Sequence, residues 1–137
     1  MVIQKEITLP AFERGCHLIT HHINKAFDNL PDQGLLNIFL RHTSAGLCIN
    51  ENADPTVRQD FNSFFDKLVP ENLSFYKHVY EGPDDITAHL KTAITGQSLN
   101  IPVRAQKIAL GTWQGIYLCE FRNNGGRRKI LLTCITH

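Results

Sequence analysis

The sequence predicts an α+β domain with antiparallel strand pairing, and two observations carry that expectation. Helical periodicity is confined to the first two-thirds of the chain, whereas after Gly96 the residues read almost wholly as strands. No repeated alternation of strand and helix suggests a parallel βαβ sheet. With no internal repeat, low-complexity tract or linker, residues 1–137 are expected to form one domain, long enough to bury a core without staples.

The chain opens with Val2–Leu9, partly alternating and closed by Pro10, which reads as a strand. From Thr20 to Leu30, Ile23, Ala26, Phe27 and Leu30 recur at helical spacing, with Thr20 as N-cap and Pro31 closing the run. Gly34–His42 is a mostly apolar run typical of a buried strand, and Leu47–Asn50 is its expected neighbour. Asp54 and Pro55 start a second helix as N-cap and first helical residue; Val57, Phe61, Phe64, Phe65 and Leu68 form its expected buried stripe. A third helix is expected from about Asp85 to Thr95, ended by Gly96. Strands follow at Ser98–Pro102, Arg104–Leu110, Gly115–Arg122 and Arg127–Ile135. Asn123-Asn124-Gly125-Gly126 reads as a hairpin turn that pairs the last two.

A hydrophobic fraction of 42%, a charged fraction of 20% and a net charge of +1 describe an ordinary globular chain with no long-range field to gather nucleic acid or a membrane surface. The N-terminus has no apolar leader and no segment reaches bilayer length, so a cytoplasmic location is expected. Cys16, Cys48, Cys119 and Cys134 form no CxxC pair and each sits in an apolar or strand-like run, as reduced core thiols do.

The chemistry concentrates around Gly82-Pro83, where His78, Glu81, Asp84, Asp85 and His89 exceed what a turn requires. Neutral imidazoles near carboxylates are the donor set of a divalent cation, zinc or magnesium. His42, at a strand end beside Thr43 and Ser44, supplies a third imidazole, so His42, His78 and His89 are the candidate metal ligands. His17 and His21, four apart with His22 beside them, are a rival set without an accompanying acid. His137, at the chain end, is expected to fray. Asp60, beside the apolar stripe of the second helix, and Asp85 are candidate general bases or partners of the imidazoles. The loop around Trp113 and Gln114 either closes the core or contacts substrate. Arg122, Arg127, Arg128 and Lys129 bracket the last hairpin as a solvated rim or, beside a metal, as phosphate contacts; Arg122 is the candidate contact, and Arg128 matters less if it is only rim.

Four ordered motifs resemble those of the YjbQ-like family, also called secondary thiamine-phosphate synthases. They are His42-Thr43-Ser44-Ala45, Ile49–Pro55, Glu81–Asp85 with Ala88-His89, and Leu110–Leu118. The resemblance implies an α+β protein on a β-sandwich, assembled as a homotrimer, with a metal or anion site at His42, His78 and His89. Thr43, Ser44, Trp113, Gln114 and Arg122 are the expected substrate contacts. One departure is Phe121, where many members carry histidine. The implied reaction joins an aminopyrimidine diphosphate to a thiazole phosphate and releases pyrophosphate. A metal-dependent hydrolase, or a non-catalytic binder of a small phosphorylated metabolite, are the alternatives; neither nucleic acid nor a membrane is expected as a partner.

Overall fold

The computed structural model describes residues 1–137 and contains eleven elements. Strands β1 (Val2–Thr8) and β2 (Gly15–Leu18) precede helix α1 (Thr20–Lys25), then β3 (Gln33–Leu40), β4 (Ala45–Glu51), α2 (Pro55–Leu68) and α3 (Pro83–Thr95) follow. The chain ends with β5 (Ser98–Arg104), β6 (Lys107–Ile108), β7 (Gln114–Glu120) and β8 (Lys129–Ile135). Two antiparallel sheets result, ordered β1-β8-β3-β5-β6 and β2-β7-β4.

Strand alternation explains why the sheets stack. Leu36, Ile38 and Leu40 of β3, Ile101 and Val103 of β5, and Ile130, Leu132 and Cys134 of β8 turn one face of the larger sheet inward. They meet Ala45, Leu47, Ile116 and Leu118 of the smaller sheet, with Ile19, Ile23 and Ala26 closing one side. The other face of the smaller sheet presents Cys16, Tyr117, Cys119 and Phe121 to Ala88 of α3 and to Phe61 and Phe65 of α2. The layers are therefore sheet, sheet and helices. The outer face of the larger sheet carries no helix and exposes a row of Val2, Ile135 and Leu35.

Several elements depart from expectation for identifiable reasons. The Asn123–Gly126 turn does not pair the last two strands: β7 lies in the smaller sheet and β8 in the larger one, so residues 121–128 carry the chain from one sheet to the other. Arg128 holds that crossing by donating to Glu120 at 2.7 and 2.6 Å and to the Ser44 Oγ at 2.9 Å, all buried, so Arg128 is no rim residue. Residues 104–110 do not form one strand. Ala105 and Gln106 both adopt positive φ (51° and 63°), turning β5 back into β6. The Ala109 N–H donates to the Pro102 carbonyl, but Pro102 has no N–H to return, and the ladder stops after two residues.

The helices differ too. Helix α1 ends at Lys25, and Thr20 lies inside it with its hydroxyl accepting the Ile116 N–H at 2.9 Å. Asp54 caps α2 as expected, accepting the Thr56 N–H at 2.9 Å, but Phe64 and Leu68 are exposed because only Phe61 and Phe65 face the smaller sheet. No helix is long and apolar enough to cross a membrane.

The Glu120–Arg128 pair should be the most sensitive polar contact of the fold, since losing one partner strands the other charge in a dry site. We expect Arg128→Ala or Glu120→Ala to cost about 3–5 kcal/mol in urea unfolding. A Gly125→Ala change should also destabilise, because its Cβ overlaps the Glu120 carboxylate.

Candidate functional site

Helix α3 builds the site. Gly82 precedes it at φ 101°, a conformation a side chain resists, and Pro83 occupies its first position, where a missing N–H costs nothing. Asp84 and Asp85 thus fall in the first turn, favourably placed at the positive end of the helix. One turn on, His89 lies on the same face as Asp85. His78, from the segment before the helix, brings its Nε2 to 2.6 Å from Asp85 Oδ2, and His89 Nε2 lies 3.1 Å from the same oxygen. The ligating atoms of His78, Asp85 and His89 all lie within 4.8 Å of one another. The Asp85 side chain is 2% exposed, whereas that of His78 is 50% exposed, so the cluster opens to solvent on the His78 side.

Arg122, just past the end of β7, fixes the carboxylates from behind. Its Nε donates to Asp84 Oδ2 at 3.0 Å, Nη1 to Asp85 Oδ1 at 2.5 Å and Nη2 to the Glu81 carbonyl at 3.2 Å. The Asn123 N–H adds a second bond to Asp84 Oδ2 at 3.0 Å. Burial opposes ionisation of both aspartates. For Asp84 the Asn123 amide and Arg122 outweigh it, and for Asp85 the bond from His78 and the nearby charges do. Both carboxyls are therefore held below the usual range. Arg122 is likewise kept charged against its burial, first of all by Asp84.

The tautomer of His89 follows from its second nitrogen. Nδ1 lies 2.8 Å from the Thr43 carbonyl, which can only accept, so Nδ1 carries the proton. A neutral His89 then aims the Nε2 lone pair at a carboxylate oxygen, a repulsive contact unless that nitrogen is protonated or a cation stands between the two. Two imidazole nitrogens and one carboxylate oxygen, with backbone and guanidinium groups ordering them from outside, fit a divalent cation with open positions. Zinc suits the imidazoles better than magnesium does.

The remaining sequence candidates are distributed as follows. His42 stands apart from the cluster at the crossing between β3 and β4, where its Nε2 accepts the Lys129 N–H at 2.8 Å. Burial and the nearby Arg128 keep His42 neutral by lowering its pKa. Thr43 adjoins the cluster through its carbonyl, whereas the Ser44 hydroxyl is buried against Arg128. Asp60 faces solvent on α2, one position off the buried stripe, and no hydrogen bond reaches its carboxylate. Trp113, 66% exposed, and Gln114, whose side chain accepts the Gly111 N–H at 2.8 Å, lie at the opposite end of β7 from Arg122. Eight extended residues at about 3.3 Å each separate the two ends. Phe121 is buried, edge-on to Phe65, and belongs to the core. Of the rival set, His17 lies in β2, stacked on Phe12 with Nε2 2.6 Å from the Glu13 carbonyl, while His21 is exposed on α1.

Sequence reasoning missed the joint roles of Asp84, Glu120, Ser44 and Arg128. A charged residue ending the apolar run Ile116–Cys119 was the available signal for Glu120. Beside His78 lies a cleft of about 350 Å³, bounded by Leu73, Tyr76, Val79, Pro83 and Ile86.

The fold and site together define a small two-sheet protein with a His–Asp–His cluster at the base of one helix. The family described as UPF0047 protein YjbQ-like matches residues 5–137. A UPF0047 protein YjbQ from Salmonella typhimurium is 50% identical over 135 residues, covering 97% of both chains. A UPF0047 protein from Methanocaldococcus jannaschii is 45% identical over 129 residues, covering 94% of this chain and 89% of its own. Among solved structures, a YjbQ/UPF0047 family protein from Clostridium acetobutylicum superposes with a TM-score of 0.83 at 38% identity, covering 96% of this chain and 99% of its own. A hypothetical protein from Aeropyrum pernix gives a TM-score of 0.85 at 26% identity, covering 98% and 99%. The chain belongs to the YjbQ-like, UPF0047 family.

Two outcomes follow from this geometry. After incubation with zinc and desalting, His78→Ala and His89→Ala should retain a small fraction of the metal held by the wild type. His42→Ala and His17→Ala should retain all of it; elemental analysis reads the difference. The second concerns acid. Because Asp84 and Asp85 are held below the usual carboxyl range, their contribution to stability is complete above about pH 4 and is lost as pH falls through their lower folded values. In metal-free protein, Arg122→Met should move that acid limb to higher pH in thermal melts recorded from about pH 6 to pH 2.

Proposed function

We propose that the protein is a metal-dependent enzyme of the secondary thiamine-phosphate synthase type, joining an aminopyrimidine diphosphate to a thiazole phosphate with release of pyrophosphate. The convergence of His78 Nε2, His89 Nε2 and Asp85 Oδ2 beside an open cleft carries this reading. A divalent cation, zinc by preference, would be held there by His78, Asp85 and His89 and would supply positive charge toward a leaving diphosphate. Arg122 holds Asp85 in place, and the Thr43 carbonyl fixes the tautomer of His89. The cleft walled by Leu73, Tyr76 and Ile86 has room for a heterocyclic ring. Arg122 has three of its five N–H donors committed to Asp84, Asp85 and Glu81, so its first task is to hold the aspartates, with two N–H groups left for a phosphate oxygen.

The disposition of the carboxylates favours this reaction over hydrolysis. Asp85 uses one oxygen on Arg122 and the other on the imidazoles, and Asp60 is in solvent, so neither is poised to deprotonate water. A thiazole nitrogen needs no base to attack. We include a homotrimer in the proposal. The uncovered row of Val2, Leu35 and Ile135 supports a subunit contact, and in an assembly Trp113 and Gln114 can approach a cluster only from a neighbouring copy.

Zinc-loaded protein should release pyrophosphate when given both phosphorylated substrates together and not either alone, and Asp85→Asn should lower that rate by about a hundredfold or more. Light scattering of the active sample should report three times the chain mass. Hydrolysis of p-nitrophenyl phosphate without coupled pyrophosphate release would transfer the site to the hydrolase reading.

A further inference from the structure

Away from the candidate site, three of the four cysteines gather on the face of the smaller sheet that packs against α2 and α3. Cys16 of β2 stands directly opposite Cys119 of β7, with the two sulfurs 3.3 Å apart. Cys48 of β4 is diagonal to Cys119, which faces Gly46, and its sulfur lies 3.9 Å away. All three are free thiols.

The register decides which pair can bond. The Ile19 N–H donates to the Ile116 carbonyl, marking a hydrogen-bonded position. Counting back along the ladder, Leu18 and Tyr117 are a non-hydrogen-bonded pair, His17 and Leu118 a bonded one, and Cys16 and Cys119 again a non-bonded one. Cα atoms at such positions approach to about 4.5 Å, within the range that a disulfide spans. The diagonal Cys48–Cys119 pair is farther apart along the backbone and suits a transient bond better than a lasting one.

Access and acidity separate the roles. Cys119 is buried on the central strand and Cys16 nearly so, while Cys48 is half-buried. The hydrogen bond with Cys119 lowers the pKa of the Cys48 thiol, whereas the bonds to Cys16 and Cys48 push that of Cys119 well up. The thiolate is the nucleophile, so Cys48 is the sulfur that meets an oxidant first.

We propose that Cys48, Cys119 and Cys16 form a peroxide-reactive site in which oxidation enters at Cys48 and ends as a Cys16–Cys119 disulfide. The Cys48 thiolate attacks one oxygen of hydrogen peroxide, hydroxide departs, and sulfur loses two electrons to become a sulfenic acid. Cys119 attacks that sulfur and the hydroxyl leaves as water, giving a Cys48–Cys119 disulfide. Cys16 then attacks Cys119, and its proton restores the Cys48 thiol. In sum, two thiols and one peroxide give one disulfide and two waters.

The test is peroxide treatment of the full chain, alkylation of remaining thiols, and peptide mapping without reductant. The Cys16 and Cys119 peptides should be linked, with Cys48 and Cys134 alkylated. Cys48→Ser should slow the linkage by about tenfold or more, and Cys119→Ser should leave Cys48 as a sulfenic acid that dimedone captures. If Cys119→Ser does not fold, Cys16→Ser serves instead and should accumulate the Cys48–Cys119 disulfide. Linkage at an unchanged rate in Cys48→Ser, or wild-type thiols that stay unlinked while Cys48 is oxidised to sulfinic acid, would overturn the assignment.

Discussion

The structure depends on one buried ion pair. The chain passes between the two sheets six times, and the crossings after β3 and after β7 fall at the same end of the sandwich. Arg128 ties them together: its guanidinium spans Glu120, the last residue of β7, and Ser44, just before β4. With Glu120 fully buried, neither charge has water to fall back on, so the pair is worth most as a constraint on geometry and least as a net source of stability. Gly125 has no side chain because the Glu120 carboxylate occupies that space.

That constraint sets the distances in the candidate site. Thr43, adjacent to Ser44, offers its carbonyl to His89, and Arg122, two residues after Glu120, reaches Asp84 and Asp85. Both supports come from the sheet crossings, whereas Asp85 and His89 come from α3. The cluster is thus assembled where a helix end meets two fixed corners, which gives its groups little freedom to reorganise. His42 belongs to the same corner but serves it by capping the Lys129 amide.

The chemical surplus around Gly82-Pro83 was legible because a turn needs neither two histidines nor three carboxylates, and His78, Asp85 and His89 do come together. His42 stands apart from the cluster: sequence shows a histidine at a strand end but not the Lys129 amide whose hydrogen bond its Nε2 accepts. Asp60 lies one position off the stripe, as its place before Phe61 indicates, and that offset is enough to turn its side chain from the packed face into water. Asn123–Gly126 announced a turn correctly, yet nothing local told which sheet the next strand joins; a contact between residues 120 and 128 decides that. The turn at Ala105-Gln106 was invisible because neither residue is of the kind that favours positive φ.

The position of β8 has a consequence for how the chain is made. It is the last strand in sequence but lies between β1 and β3, pairing Val2 with Ile135 at one extreme and Leu40 with Ile130 at the other. On the ribosome, β1 and β3 therefore wait with a slot between them, and the larger sheet closes only when β8 emerges. Until then the inward faces of both strands are exposed to neighbouring chains. Such a topology, dominated by pairings distant in sequence, folds slowly, and its unpaired strands invite association until β8 docks.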